Sequence, residues 1–81
     1  MSDFHSLISS ANKFKLKNDY YSALKLYEQA LSLNKKNIDL MYEIGSIHRS
    51  LGDLTKAKQF FFKIIKEEPA NTKSHRMLST L

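Results

Sequence analysis

Apolar side chains recur along the chain at spacings of three and four residues, which is the period of an amphipathic helix. Four such stripes are separated by short polar segments that contain Asn, Asp, Gly or Pro. The stripes predict helices over residues 3–17, 20–33, 38–51 and 54–67, and a fifth helix that begins near residue 72. The pattern therefore predicts an all-α fold of about five helices.

Capping residues stand where these predicted helices begin. Asn37 and Asn71 each precede a helix, and their amide oxygens can accept from an unpaired backbone N–H. Asp19 and Asp53 hold the same place before the second and fourth helices, where a negative charge also suits the helix dipole. Pro69 follows the fourth helix, whose hydrogen-bond ladder it cannot continue.

The capping residues also reveal an internal repeat. Asp19 and Asp53 are 34 residues apart, and so are Asn37 and Asn71. Laying residues 4–37 over residues 38–71 places small residues on small ones and aromatic rings on aromatic rings. The aligned pairs are Leu7 with Met41, Ala11 with Gly45, Ala23 with Ala57, Tyr27 with Phe61 and Leu31 with Ile65.

A 34-residue helix–turn–helix unit with this series of small, aromatic and turn residues resembles the tetratricopeptide repeat. In the second unit the signature positions fall on Met41, Ile44, Gly45, His48, Ala57, Phe61, Ile64 and Pro69. In the first unit they fall on Leu7, Ser10, Ala11, Phe14, Ala23, Tyr27, Ala30 and Lys35. A third unit begins at residue 72, with His75, Leu78 and Ser79 in its first signature places.

The resemblance implies tandem antiparallel helix pairs stacked as a right-handed superhelix. It divides a single domain over residues 1–81 into a repeat at 4–37, a repeat at 38–71, and a partial third repeat or capping helix at 72–81. Each hairpin of such an array buries one face on its neighbour.

In this family the first helices of successive units line a concave groove that receives a peptide, so the resemblance implies a protein–protein interaction module or scaffold. The groove positions expected to bind the partner carry charged, amide or phenol side chains, and they are Asn12, Lys15, Asp39, Tyr42, Arg49, Lys73 and Arg76. His5, Ile8, Leu16, Ser46 and Ser50 complete this surface. Its several cations predict an acidic or C-terminal peptide as the partner. The alternative is a hydrated face that holds no ligand.

The carboxylate clamp of chaperone-binding members of the family does not fit this chain. Its places are held by Ile8, Asn12, Glu43, Lys73 and Met77, of which only the Asn and the Lys match. Glu43 would also repel a carboxylate.

Self-association is a second hypothesis. Phe62 aligns with Glu28, an outward position of the first unit, and exposed aromatic rings commonly anchor interfaces. Leu78 and Leu81 belong to the unfinished third unit and are expected to be exposed. These three side chains form the predicted association surface of a homo-oligomer.

Residues 72–79 are also similar to the junction that follows the repeats in bacterial proteins where such repeats precede a sulfotransferase domain. On this resemblance, the chain would be the scaffold part of a larger enzyme. None of its own residues would carry out the sulfate transfer.

The net charge of +5 raises the question of a nucleic-acid partner. The lysines are scattered, however, and only Arg49 and Arg76 carry the fork geometry that reads phosphates bidentately. A solvated basic surface is therefore preferred to nucleic-acid binding.

Targeting signals and catalytic motifs do not emerge from the sequence. The segment from Met1 to Ser6 lacks the basic and apolar regions of a signal peptide, and the longest apolar run is three residues. A cytoplasmic protein without a membrane partner is predicted. The absence of cysteine excludes disulfides, thiolate zinc sites and cysteine nucleophiles.

The three histidines belong to three different helices, and no pair has the i, i+4 spacing of a helical metal site. His48 occupies a core aromatic position and is interpreted as a packed ring. Neither a glycine-rich phosphate loop nor a nucleophile elbow is present. The sequence thus predicts no enzyme, no metal and no cofactor.

Overall fold

A computed structural model describes residues 3–81 of the chain. Residues 1 and 2, which belong to the predicted domain and to the segment inspected for a signal peptide, lie outside the described residues. Within 3–81 the helices are α1 Phe4–Leu16, α2 Tyr20–Leu33, α3 Ile38–Ser50, α4 Leu54–Glu67 and α5 Thr72–Ser79. The same range contains no strand. The predicted all-α class is confirmed, and each predicted helix end lies within one residue of the observed one.

The predicted N-caps all make their hydrogen bonds. The side chains of Asp19, Asn37, Asp53 and Asn71 each accept from the backbone N–H three residues on, at distances of 2.9 to 3.3 Å. Asp3 caps α1 in the same way at 2.6 Å. Each bond satisfies a donor that the start of a helix would otherwise leave unpaired.

The turn inside each helix pair contains one residue in the left-handed region. These residues are Asn18, with φ of 62°, and Gly52, with φ of 83°. They are again 34 positions apart, so the repeat extends to the backbone conformation of its turns. Gly and Asn are the residues that adopt this conformation at the lowest energetic cost.

The interior consists of two clusters of buried side chains, one formed by α1, α2 and one face of α3, and the other by α3 and α4. The first cluster contains Leu7, Ala11, Ala23, Leu24, Tyr27, Ala30, Leu40, Ile44 and Ile47. The second cluster contains Met41, Ala57, Phe61 and Ile64. Leu31 and Phe60 pack against both clusters and so join the two pairs into one continuous interior.

Small residues permit the two helices of a pair to approach each other closely. A Cβ atom on Gly45 would lie 3.1 Å from the ring of Phe61, which is itself fully buried. The aligned residue of the first pair is Ala11, which is also fully buried. Gly45 therefore lies against Phe61 in the second hairpin, and Ala11 and Tyr27 belong to the same buried cluster in the first.

The structure confirms that His48 is a packed ring. The imidazole is buried and stacks on Phe60, with ring centroids 5.9 Å apart and an interplanar angle of 20°. The imidazole thus lies within the interior that joins the two helix pairs.

The expected exposure of Leu78 and Leu81 is wrong. Both side chains are partly buried and pack against the second cluster, because α5 lies on α4. Phe62, in contrast, is 58% exposed. Of the predicted association surface, Phe62 alone is an exposed side chain.

Candidate binding groove on helices α1, α3 and α5

Two hollows lie on either side of the first turns of α3. One, of about 320 Å³, lies between α1 and α3, and the other, of about 620 Å³, lies between α3 and α5. We call the two hollows together the groove. The first hollow is lined by Phe4, His5, Ile8, Asn12, Tyr27, Asn37, Asp39, Leu40 and Glu43. The second is lined by Asn37, Ile38, Asp39, Tyr42, Glu43, Glu68, Asn71, Thr72 and Lys73.

Asp39 and Glu43 form a ridge that both hollows share. The two residues are four positions apart on one helix and therefore lie on the same face. Asn37, which also borders both hollows, fixes the start of α3 by accepting from the N–H of Leu40 at 3.0 Å. The position of the ridge thus follows from the capping of α3.

Glu43 is neutralised by a lysine from the neighbouring repeat. The Nζ of Lys15 lies 2.5 Å from Oε2 of Glu43, and each side chain is about one-third exposed. The hydrogen bond to Glu43 raises the pKa of Lys15, and partial burial opposes the increase. This pair connects α1 to α3. It also borders a third hollow of about 330 Å³, which is further lined by Tyr20, Ser46, Ile47 and Ser50.

Asn12 is held by an aromatic side chain from the same repeat. The hydroxyl of Tyr27 donates to Oδ1 of Asn12, and burial raises the pKa of the Tyr27 phenol. The Asn12 amide therefore lies at a fixed position in the first hollow. One of its acceptor sites is already used.

Tyr42 forms a rigid aromatic wall of the second hollow. Its ring packs edge-on against Phe61 of the second cluster, with centroids 5.8 Å apart and an interplanar angle of 62°. The Nζ of Lys73 lies 5.7 Å from the centroid of the Tyr42 ring, within the range of a cation–π contact.

The structure places half of the twelve groove residues predicted from the sequence in the groove. Asn12, Asp39, Tyr42 and Lys73 line the groove, together with His5 and Ile8. Lys15, Ser46 and Ser50 line the third hollow. Leu16, Arg49 and Arg76 are exposed, but they line none of these three hollows.

Two acidic residues were missing from the predicted binding set. Glu43 follows Asp39 by four residues, so its helical spacing could have revealed it. Glu68 precedes Pro69 in a loop and reaches the second hollow only because α5 brings that loop beside α3. No local sequence signal places Glu68 there.

The side chains at the positions of the carboxylate clamp are engaged within the chain. Glu43 is paired with Lys15, Asn12 accepts from Tyr27, and Lys73 lies over Tyr42. Met77, at another clamp position, packs against the second cluster.

A cavity of about 610 Å³ lies outside the groove, where α2 meets the turn between α3 and α4. It is lined by Tyr21, Leu24, Lys25, Glu28, His48, Leu51, Gly52, Asp53 and Lys56. Burial lowers the pKa of His48. The positive charge of Lys56 also lowers this pKa, whereas the negative charges of Asp53 and Glu28 raise it. The environment of the ring thus favours its neutral form.

Metal-binding and membrane-spanning features were also sought within residues 3–81. This range contains no group of three or more His, Asp or Glu side chains placed to hold a metal ion. In the same residues, no helix combines the length and apolarity needed to cross a bilayer.

Comparison with known proteins gives one family. A family model described as tetratricopeptide repeat matches residues 16–81, which include α2 to α5 and the last residue of α1. No curated protein matches the chain.

Proposed function

Because the chain belongs to the tetratricopeptide repeat family, we propose that it is an interaction module that binds a segment of a partner protein in the groove. The family generally mediates protein–protein interaction. The proposal assigns that role here to the surface of α1, α3 and α5.

The observation that carries the proposal is the preformed groove. Its two hollows are large enough for several side chains, and Tyr42 and Ile8 offer apolar surface beside polar groups. The Tyr42 ring rests on the core, and the Lys15–Glu43 pair connects the helices that frame the first hollow. A binding surface already ordered before association loses less conformational entropy when a partner arrives.

A binding role is preferred to a catalytic one. His5, His48 and His75 lie on α1, α3 and α5, and none is paired with a second titratable side chain in the described hydrogen bonds. Nε2 of His75 lies 2.7 Å from the carbonyl oxygen of Pro69, so this ring is engaged by the backbone. A general base needs a reacting group within hydrogen-bond reach, and a nucleophile needs a neighbouring base.

The variant Tyr42→Ala tests this proposal. It removes the aromatic wall of the second hollow, and we expect it to lose partner capture from the source cell while keeping its helical circular dichroism. The control is Tyr21→Ala, which removes an exposed tyrosine from α2, outside the groove. Equal capture by the groove variant and the wild type would contradict the proposal.

Self-association through Phe62 is a second candidate function, and the exposure of this ring on α4 favours it. We expect the wild type to sediment above the mass of a 9.4 kDa monomer, and Phe62→Lys to shift the protein toward that mass. Tyr21→Lys places the same charge at another exposed ring and serves as the control. A wild type that sediments as a monomer would rule this candidate out.

The hypothesis that residues 72–79 lead into a sulfotransferase domain stays a prediction. The family match concerns the repeats alone.

A further inference from the structure

The groove is acidic although the protein is basic. Over the whole chain 13 Lys and Arg residues outnumber 8 Asp and Glu residues. Glu43 and Lys15 neutralise each other at the groove. The other Asp, Glu, Lys and Arg residues of the two hollows are Asp39, Glu68 and Lys73, so the balance is reversed by one negative charge. A local reversal of charge in a binding surface selects between partners of opposite sign.

Within the part of the chain that the structure describes, two of these three groove carboxylates, Asp39 and Glu68, have no ion-pair partner. Glu43 is paired with Lys15, but within residues 3–81 neither Asp39 nor Glu68 lies within 4.0 Å of a cationic nitrogen. Glu68 accepts a hydrogen bond from the Asn71 amide at 3.1 Å, which leaves its negative charge in place. The positive end of the α3 dipole offsets only part of the Asp39 charge. Asp39 is exposed on the ridge and borders both hollows.

A lysine of the chain itself lies at this surface. Within the described residues the ammonium group of Lys73 forms no ion pair, and it lies over the Tyr42 ring at 5.7 Å from the ring centroid. The electron-rich face of an aromatic ring attracts cations, so a cation is compatible with the α5 side of the ridge.

Apolar surface flanks the Asp39 carboxylate on both sides. Ile8 lies in the first hollow and Tyr42 in the second, with Asp39 on the ridge between the hollows. Both apolar side chains are partly buried. A lysine or arginine of a ligand can pack its methylenes on such a surface while its charged group reaches the carboxylate.

We propose that the groove binds partner segments in which a lysine or arginine, next to an apolar residue, reaches the Asp39 ridge. This inference rests on the function proposed above and names the class of partner. The acidic partner expected from the sequence depended on four cations, of which Lys15 is paired with Glu43 and Lys73 lies over Tyr42. The other two, Arg49 and Arg76, lie outside the groove.

The test is selection of a phage-displayed library of random linear peptides on the immobilised protein. Selected peptides are then synthesised, and their Kd is measured by fluorescence anisotropy. We expect the selected sequences to be enriched in Lys or Arg next to apolar residues. For such a peptide, Asp39→Asn/Glu68→Gln should raise the Kd about three- to tenfold, and the increase should shrink at high salt.

The matched control is Glu28→Gln/Glu67→Gln, which removes two negative charges from exposed residues that do not line the groove. Its Kd should stay within about twofold of the wild-type value, since neither carboxylate borders a hollow of the groove and exposed charges are screened by salt. Circular dichroism and urea unfolding of each variant establish that the helices are intact.

The remaining outcomes separate this inference from the proposed function. The cationic preference would be overturned if the selected peptides were acidic or uncharged and still required Tyr42. It would also be overturned if Asp39→Asn/Glu68→Gln left the Kd unchanged. In both cases the groove would remain the binding site. Failure to select any peptide whose binding is lost in Tyr42→Ala would overturn both proposals.

Discussion

At the scale of single residues, His48 stands at a repeat position that is usually aromatic, and its ring fills the same place in the interior. The ring stacks on Phe60 and is buried where the two helix pairs meet. The charged groups around it are Glu28 on α2 and Asp53 and Lys56 at the start of α4. The sequence could predict a packed ring from the repeat position, because core positions recur with the 34-residue period.

The lowered pKa of His48 makes stability depend on pH. The ordinary pKa of 6.5 applies to the unfolded chain, whereas burial lowers the pKa in the folded state. Below about pH 6.5 the unfolded state therefore binds more protons at this residue, and stability is lost as the pH falls. We expect the free energy of unfolding in urea to decrease more between pH 7.5 and 5.5 for the wild type than for His48→Phe. An equal decrease in both proteins would contradict this assignment.

At the scale of helices and turns, several local signals agree. The helix boundaries indicated by the apolar period agree with those indicated by the four predicted caps and by the left-handed turn residues. The sequence could therefore predict the helix ends closely. Consistency among such signals is typical of a sequence that specifies one fold. The error at Leu78 and Leu81 has a different origin. Their burial depends on how α5 packs on α4, and a period within α5 does not report that contact.

The turn between α3 and α4 provides a test of the backbone conformation alone. A Cβ atom on Gly52 would meet nothing within 4 Å, so the only cost of an alanine is its unfavourable φ of 83°. We expect Gly52→Ala to lower the free energy of unfolding by about 1–2 kcal/mol, measured by urea denaturation. Ser50→Ala, at an exposed helical position, should change it by less than about 0.5 kcal/mol. Unchanged stability in Gly52→Ala would show that this turn does not require a left-handed residue.

At the scale of the whole molecule, the groove arises because α1, α3 and α5 each contribute side chains to one surface. The family resemblance could predict which helices form it and six of the residues that line it. The charge of the groove could not be predicted, because it depends on contacts between distant residues. Lys15 is neutralised by Glu43, which is 28 positions away, and Glu68 reaches the groove from a loop. The net charge of the whole sequence therefore does not report the charge of this surface.

The most direct test of the groove is site-specific photocrosslinking in the source cell. p-Azidophenylalanine, whose ring is close to tyrosine in size, would replace Tyr42 in the groove or Tyr21 on α2. We expect irradiation to attach a discrete partner protein at position 42, identified by mass spectrometry, and no such partner at position 21. No adduct at position 42, or the same adducts at both positions, would contradict the assignment of the groove as the binding surface.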